Sequence, residues 1–319
     1  MKIIKPDFEI WNQEEGLEGI YKQVERCGRV CYASDPVEGK AKDFVDRMIK
    51  LGHGAMLEHG TVYLGLPPHS PITFYKYRDN KYSSYREVRI SDTGSPNVYA
   101  YVSTNYRVLV QGGYETWEEA MANNFDRNWL DDLKYLCEPT KYHEKRVTVH
   151  FTTQIAITRE FNRHRVNSMA EQSTRYCNYG KDKFGGVGIN LPSWVDSEIQ
   201  RLEDITENVL PTFEQLKEEY FSVSDQGITK DDWGDIEWWL WSNLVAEESY
   251  LELIEKGRKP QEARVVLSLD TNTELIHTAF VSDWKHFFGL RDDEKHAHPD
   301  AYELAHPLHE EFKNRNLLN

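Results

Sequence analysis

The sequence predicts an α+β fold in one interwoven domain. Apolar residues at helical spacing, such as Phe44 and Met48, form the stripe of an amphipathic helix, whereas Val147, Val149 and Phe151 alternate as in a half-buried strand. Long helical patterns fill much of the C-terminal half. A chain of 319 residues with 39% hydrophobic content can bury a substantial core, and the sequence shows neither an internal repeat nor a low-complexity segment.

The predicted elements follow one another without a clear domain boundary. Helices are expected over residues 41–52, 116–137, 154–165, 198–210, 235–257, 259–267, 282–291 and 298–312. Strands are expected over residues 61–66 and 146–153, and residues 99–113 predict a strand followed by a second strand or a helix. Residues 166–176 predict a turn that leads into irregular chain.

Residue types at the helix ends support these bounds. Gly52 and Gly257 suit C-terminal positions that need a left-handed backbone. Thr116, followed three residues later by a Glu, forms a capping box. Pro260 suits the first turn of a helix, and Ser282 suits an N-terminal cap.

The charge balance excludes some classes of partner. The formal net charge is −15 with a pI near 5.3, which argues against a general nucleic-acid binder and against binding to an acidic membrane. The N-terminal residues lack the apolar run of a signal peptide, and no run reaches the length of a membrane span. We therefore expect a cytoplasmic protein, with any anion binding confined to a local site.

The spacing of the cysteines does not match a redox motif or a metal-binding motif. Cys27, Cys31, Cys137 and Cys177 form no CxxC pair, so they are interpreted as reduced thiols. No metal site is expected. Histidines lie at a Gly-rich turn and near the C-terminus, and their spacing favours ordinary structural or interface roles over ligation. They are His53, His59, His296, His298, His306 and His309.

Residues 162–176 concentrate positive charge in an acidic chain. Arg163, His164, Arg165 and Arg175 lie in this stretch together with hydroxyl and amide side chains, and Glu171 carries the opposing charge. Guanidinium groups match phosphate oxygens two at a time, so a phosphate or nucleotide site is one interpretation. A solvated helix face with surface ion pairs is the other, and composition does not decide between them.

Each of two further arginines follows or opens an apolar helical stretch. Arg264 and Arg291 stand in surroundings where an Arg usually has an anionic partner, either a ligand or a structural carboxylate.

These pieces together resemble the flavin-dependent thymidylate synthases. The signature of that family is Arg-His-Arg, seven residues and then Ser, which here reads from Arg163 to Arg165 and then Ser173. The flanking segments are similar as well: residues 28–34 resemble a strand-to-loop segment, residues 51–59 a Gly-His turn, and residues 249–291 the helical C-terminal half. The resemblance covers residues 20–66 and 145–298.

The resemblance implies a single domain over residues 1–319, built as a mostly antiparallel twisted sheet flanked by helices. Residues 67–145 are longer than in compact members and are interpreted as an insertion. The implied reaction converts dUMP to dTMP with methylene-tetrahydrofolate as carbon donor, FAD as hydride carrier and NADPH as reductant, and it uses no cysteine nucleophile. The implied assembly is a homotetramer whose sites are shared between subunits.

The resemblance also implies residue roles. Arg291 would be catalytic, stabilising the uracil anion. The implied dUMP-binding residues are Glu160, Arg163, Glu171, Gln172, Ser173, Thr174, Arg175, Arg264 and Arg291. The implied FAD-binding residues are His53, Ala55, Arg163, His164, Arg165, Glu171 and His286.

Some positions depart from the family pattern. Ala55 replaces a common Ser or Thr, Glu160 a frequent Gln, Ala170 a frequent Asn, Ser268 a frequent Pro and Phe280 a frequent Asn. These departures bear on individual contacts.

Two other functions remain open at this point. A nucleotide-binding regulator could keep the phosphate site without flavin chemistry, and a metal-dependent hydrolase could use the C-terminal histidines. A flavin absorption band and a metal analysis would distinguish them.

Overall fold

The computed structural model describes residues 1–68, 76–90, 97–181, 186–197 and 234–318. The expected helix at 198–210 lies outside these residues. Within them, the strands are β1 (Lys2–Ile4), β2 (Asp7–Trp11), β3 (Thr61–Leu66), β4 (Ser84–Ile90), β5 (Asn97–Asn105), β6 (Arg146–Gln154), β7 (Ser168–Glu171), β8 (Gly188–Asn190) and β9 (Asn272–Phe280). No helix among them is long and apolar enough to cross a membrane.

The described helices surround these strands. They are α1 (Gly16–Val30), α2 (Ala41–Lys50), α3 (Tyr106–Gln111), α4 (Trp117–Ala122), α5 (Ile155–Phe161), α6 (Asp235–Glu255), α7 (Pro260–Ala263), α8 (Val281–Arg291) and α9 (Pro299–Asn314). Short 3₁₀ helices occupy Gly54–His59, Leu130–Tyr135 and Arg264–Val266. The chain is therefore α+β, as predicted.

An antiparallel sheet in the order β2-β6-β9-β7 carries the residues of interest. β6 and β9 pair over their full lengths, from Arg146 opposite Phe280 to Gln154 opposite Asn272. Helices α5, α8 and α9 pack on this sheet through a core that includes Phe151, Phe161 and Trp284. This packing fixes the two ends of the sheet from which α5 and α8 start.

A second antiparallel sheet, β3-β5-β4, contains much of the segment interpreted as an insertion. Its residues share one core with α1 and α2: Val102 and Leu109 of the segment cluster with Val24, Phe44 and Met48. Residues 99–113 thus form a strand and then a helix. The segment is packed into the N-terminal part of the protein along a continuous apolar core.

The third sheet is the parallel pair β1-β8. This pair packs against α6 in a shared apolar core. Tyr250, Val187 and Ile189 are all buried there. Gly257 ends α6 with a φ of +86°, and Gly52 follows α2 with a φ of +74°, so both glycine caps are confirmed.

Several local predictions were wrong. The expected helix at 116–137 ends at Ala122 because Asn124 and Phe125 adopt positive φ, although Thr116 does cap it. Ser282 does not cap α8; Phe280 holds that position, and the Ser282 hydroxyl donates to Glu144 Oε1 at 2.5 Å.

The stretch around the arginine motif also differs from expectation. The helix expected at 154–165 is the shorter α5, and residues 166–176 contain strand β7 where irregular chain was expected. Residues 28–34, expected as strand and loop, form the end of α1 and a turn. Val166 adopts a φ of +67°, which is strained for a β-branched residue and lies directly after the Arg-His-Arg triplet.

Candidate active site

A cavity of about 580 Å³ lies where α5, the end of β7 and the Arg264–Val266 helix meet; we call it the arginine cavity. Its lining includes Arg159, Gln172, Ser173, Thr174 and Arg264. Arg264 Nη1 donates to Thr174 Oγ1 at 3.0 Å, which joins the motif to the C-terminal half of the chain. The cavity can hold an anion because two guanidinium groups and several hydrogen-bonding groups border it.

The loop after β7 is fixed by its own backbone. Ser173 N donates to Cys31 O at 3.0 Å, and Gln172 N donates to Glu274 O at 2.8 Å. Arg175 lies next to the arginine cavity, where its Nε donates to Gln261 Oε1 at 3.1 Å. These bonds fix the backbone at Gln172 and Ser173 and hold one nitrogen of the Arg175 guanidinium.

A second cavity of about 390 Å³ lies under the Gly-rich turn; we call it the loop cavity. Its lining includes Tyr32, His53, Ala55, Glu171 and Tyr176. Tyr32 Oη lies 3.2 Å from His53 Nδ1, and its ring lies 5.6 Å from that of Tyr176. Flat aromatic side chains at the mouth of a cavity suit a planar ring system.

Glu171 borders both cavities, as does Ser173. Its carboxylate accepts hydrogen bonds from Thr158 Oγ1 at 2.9 Å and from Asn162 Nδ2 at 3.4 Å. Burial raises the pKa of Glu171, and the hydrogen bonds oppose the rise. The Glu171 carboxyl therefore lies close to the occupant of either cavity.

Arg291 lies in a third group of residues, the Arg291 cluster, together with Glu160 and His164. Its Nη1 donates to Glu160 Oε2 at 2.8 Å, its Nη2 to Glu160 O at 2.8 Å and its Nε to His164 Nε2 at 3.2 Å. A guanidinium has five N–H groups, so two remain for a ligand. Glu160 and His164 fix the plane of the guanidinium.

His164 is held as a neutral acceptor. Burial and the neighbouring Arg291 cation lower the pKa of His164 to about 4. Because Nε2 accepts from Arg291, the ring proton resides on Nδ1. The residue between Arg163 and Arg165 therefore accepts a hydrogen bond from Arg291 and adds no third positive charge at neutral pH.

The structure brings some of the expected site residues together and separates others. Glu171, Gln172, Ser173, Thr174 and Arg264 share the arginine cavity, and His53, Ala55 and Glu171 share the loop cavity. Glu160, His164 and Arg291 form the separate cluster, and the ring of His286 lies 5.8 Å from that of His164. Within the described chain, the side chains of the exposed Arg163 and Arg165 form neither hydrogen bonds nor ion pairs.

Sequence reasoning missed Arg159 and the two tyrosines of the loop cavity. Arg159 lines the arginine cavity one turn after Ile155, and that spacing on a predicted helix was a usable signal. Tyr32 and Tyr176 come from segments that are far apart in the sequence, so no local pattern pairs them.

Buried histidines make the fold sensitive to acid. Burial lowers the pKa of His59 to about 3, as it lowers that of His164 to about 4. In the unfolded chain His takes a proton below about 6.5, so this stabilisation is present above that pH and is lost as the pH falls through the folded-state pKa. We expect the free energy of unfolding to fall steadily from neutral pH to pH 4.

The variant His164→Asn isolates one of these groups. The Asn side chain can still accept from Arg291, and it cannot be protonated. We expect the proton uptake on unfolding between pH 6.5 and pH 4, measured by denaturant titration at several pH values, to fall by about one proton. An unchanged uptake would show that His164 is charged in the folded protein.

A family model described as "Thymidylate synthase complementing protein" matches residues 99–315, which is more than half of the chain. The chain belongs to this family. The flavin-dependent thymidylate synthase of Thermosipho africanus (strain TCF52B) is 23% identical over 229 residues, covering 72% of this chain and 90% of the relative. The flavin-dependent thymidylate synthase of Pyrococcus abyssi (strain GE5 / Orsay) is 26% identical over 212 residues, covering 63% and 71%.

The thymidylate synthase complementing protein family match begins at residue 99, inside the segment interpreted as an insertion, and that interpretation stays a prediction. Among solved structures, the UMP/dUMP methylase PolB from Streptomyces cacaoi bound with 5-Br dUMP aligns with a TM-score of 0.39 and 15% identity, covering 98% of this chain and 93% of that one.

The C-terminal histidines of this family member contact a carboxylate. His306 Nδ1 and His309 Nδ1 lie 2.8 and 2.6 Å from the two oxygens of Asp292, which directly follows Arg291. Among the described residues, no group of three or more His, Cys, Asp and Glu side chains has an arrangement that could hold a metal ion. The hydrolase hypothesis therefore has no geometric support in the described part of the chain.

Proposed function

We propose that this chain is a flavin-dependent thymidylate synthase that methylates dUMP to dTMP, with methylene-tetrahydrofolate as carbon donor and NADPH as reductant. The observation that carries the proposal is the convergence of Ser173, Thr174 and Arg264 on one cavity beside a second, aromatic-lined cavity, in a member of this family. FAD, when bound, supplies the hydride that completes the methyl group.

We assign dUMP to the arginine cavity. Its phosphate dianion suits Arg264, Arg159 and the neighbouring Arg175, because guanidinium forks match phosphate oxygens. Ser173, Thr174 and Gln172 supply hydroxyl and amide groups to the phosphate and the ribose. The net negative charge of the whole chain does not prevent this binding, because the positive groups around the cavity set the local electrostatic potential.

We assign FAD to the loop cavity and to the exposed arginines of the triplet. The donor set suits this cofactor: His53, Tyr32 and Tyr176 offer flat faces for a ring system, and Arg163 and Arg165 offer free guanidinium groups for a pyrophosphate. His164 and His286 lie beside these arginines. Ala55 lines the cavity without a hydroxyl, so a polar contact at this position would have to come from the backbone of the turn.

The proposed catalytic residue is Arg291. Its two unused N–H groups can hold a uracil carbonyl and stabilise the negative charge that develops as the ring carbon attacks. Glu160 and His164 hold the guanidinium plane fixed, so little reorganisation is needed when the charge appears. Glu160 itself uses its carboxylate on Arg291 and not on the nucleotide in this arrangement.

The proposal requires that sites are shared between copies of the chain. Arg291 does not line the arginine cavity, and the apolar wall of that cavity is open: Val265 is 79% exposed and Leu269 54% exposed. Exposed apolar side chains at the rim of a site suit coverage by a partner. We propose a homotetramer, and sedimentation of the active protein as a monomer would contradict it.

An absorption spectrum tests the proposed function. The purified protein is expected to show a flavin band that bleaches when NADPH is added without oxygen, and to form dTMP from dUMP when methylene-tetrahydrofolate is supplied. A nucleotide-binding regulator would bind dUMP without a flavin band. Absence of dTMP formation by a flavin-loaded protein would overturn the proposal.

No cysteine is expected to act as a nucleophile. Cys31 lines the loop cavity, but burial raises its pKa to about 11, so the thiol stays protonated at neutral pH. Cys27 and Cys137 also have raised pKa values because of burial. Replacing each cysteine by Ser in turn should leave dTMP formation within about threefold of wild type. Loss of turnover in a folded, flavin-bound Cys31→Ser protein would contradict the mechanism.

A further inference from the structure

The Gly54–His59 turn is held from two sides, and one of them is the segment interpreted as an insertion. On the sheet side, Arg146 Nη2 donates to Glu58 O at 3.1 Å, and His59 Nδ1 lies 2.8 Å from Thr278 Oγ1. These contacts anchor the end of the turn. The start of the turn, which lines the loop cavity, rests on the segment.

Trp117 of α4 lies against Gly54. A Cβ added at Gly54 would come within 2.6–2.8 Å of three ring atoms of Trp117, so the glycine backbone contacts the ring at a distance that a side chain would prevent. A Cβ at Gly52 would come within 3.0 Å of Met121 Sδ, one turn further along α4. The two glycines that flank His53 therefore both pack on one helix of the segment.

Arg107 of α3 adds a polar contact to the same turn. Its Nη1 donates to Glu58 Oε1 at 2.5 Å, and its guanidinium carbon lies 5.3 Å from the centre of the Trp117 ring. The Glu58 side chain is 14% exposed and the Arg107 side chain 25% exposed, so the pair is partly shielded from water. Tyr106 N also donates to Gly60 O at 2.8 Å.

We propose that Trp117 and Arg107 are positioning residues: they fix the Gly52–His59 turn in the shape in which His53 and Ala55 line the loop cavity. The segment at 67–145 thereby acts on the cofactor site from outside it. Neither residue lines the loop cavity. The inference rests on the proposed function in one respect, which is the assignment of FAD to that cavity.

The fraction of time for which the turn holds its cavity-lining shape affects the apparent affinity for FAD. If the turn adopts the cavity-lining shape for only a fraction of the time, the apparent Kd for FAD rises by the inverse of that fraction. The same opening exposes the backbone amides of the turn to exchange. A change that opens the turn for most of the time should therefore raise the apparent Kd for FAD and remove the amide protection of the turn together, whereas a general loss of stability would lower protection throughout the protein.

The test compares three variants. Trp117→Leu removes the flat ring under Gly54. Trp117→Phe retains an aromatic ring and removes an indole N–H that has no hydrogen-bond partner among the described residues. Arg107→Gln breaks the pair with Glu58. Trp129→Leu is the matched control, because Trp129 lies in the same segment and contacts Tyr77, away from the turn.

We expect Trp117→Leu and Arg107→Gln each to raise the Kd for FAD by about tenfold, which corresponds to a turn that takes the cavity-lining shape for about a tenth of the time. The amides of residues 52–60 in the flavin-free protein should then lose nearly all of their exchange protection. Trp117→Phe should retain most of the wild-type FAD affinity and most of the wild-type exchange protection. Trp129→Leu should leave both within about twofold at equal folded fraction. Wild-type FAD affinity and protection in folded Trp117→Leu and Arg107→Gln proteins would overturn the inference.

The exchange measurement separates this inference from the proposed function. If the wild-type protein bound no FAD, the proposed function would fail, while protection of residues 52–60 in the same variants would still report on the contact with the segment. If Trp117→Leu did not fold, Arg107→Gln would carry the test, since it alters a partly exposed pair and not the core.

Discussion

Replacing Arg291 by Ala is expected to lower the turnover of dUMP by ~10²–10³-fold while leaving FAD bound, the usual consequence of removing a preorganised donor to a developing oxyanion. The interaction with the uracil anion strengthens as charge develops, so the loss should appear in kcat more than in KM. The proposed flavin contacts lie on other residues, so the protein should remain yellow.

The local geometry suggests how the charge-conserving variant should behave. Arg291→Lys retains a cation beside Glu160 but cannot donate at once to the carboxylate, to the Glu160 carbonyl, to His164 and to a ligand in one plane. We expect its activity to lie between that of the wild type and that of Arg291→Ala. Arg258→Ala, which removes an exposed arginine three residues after the end of α6, is the control and should retain full turnover.

A purely structural role for Arg291 makes a different prediction. Its loss would leave Glu160 and His164 without their partner, lower the melting temperature and reduce the folded fraction, while the folded molecules would turn over normally. Melting temperature, bound flavin and dTMP formation measured on one preparation distinguish the two cases. A folded, yellow Arg291→Ala protein with normal turnover would rule out the catalytic role.

The sequence predicts the local parts of this molecule well. The stripe of α2 and the alternation in β6 follow directly from side-chain periodicity, and the observed elements, Ala41–Lys50 and Arg146–Gln154, lie close to the expected ones. The Ser173 position of the motif likewise identifies one side of the arginine cavity, because Glu171, Gln172, Ser173 and Thr174 are consecutive in the chain and need no long-range packing to lie together.

Other elements escape a local pattern for identifiable reasons. Strand β9 is buried on both faces, with polar residues such as Thr273, His277 and Thr278 enclosed, so no alternation of apolar and polar residues marks it. Helix α1 carries a usable stripe at Ile20, Val24 and Cys27, which the interpretation of residues 28–34 as a strand obscured.

The distance between Arg291 and the arginine cavity could not be predicted from the sequence. Both belong to the proposed dUMP site, yet their relative position depends on how α5 and α8 leave opposite ends of the paired strands β6 and β9. Arg159 lines the cavity, whereas its neighbour Glu160 bonds Arg291, so adjacent residues of one helix serve two different places.

Two inactive variants are expected to restore activity to each other. Arg264→Ala should weaken dUMP binding by roughly 10- to 150-fold, because a charge-assisted hydrogen bond to phosphate contributes about 1.5–3 kcal/mol. Arg291→Ala should lose turnover. If one site takes Arg264 from one copy and Arg291 from another, random assortment of the two variants leaves about a quarter of the sites intact.

The measurement uses the two variants with different affinity tags, co-expressed and purified through both tags. We expect dTMP formation of about a quarter of the wild-type rate per chain, far above that of either variant alone. If each site uses both arginines of one chain, every chain carries one defect, and the mixed oligomer should be no more active than the mean of the two separate variants.

A reversed mixture gives an independent measure of the same arrangement. When the double variant, with Arg264 and Arg291 both replaced by Ala, is mixed equally with wild type, sites within one chain would retain about half of the wild-type activity, whereas sites shared between two copies would retain about a quarter. If sites are shared, both mixtures should therefore retain about a quarter of the wild-type activity. Activity near half in this mixture, together with no recovery in the first, would place the two arginines in the same site of one chain and would exclude sharing.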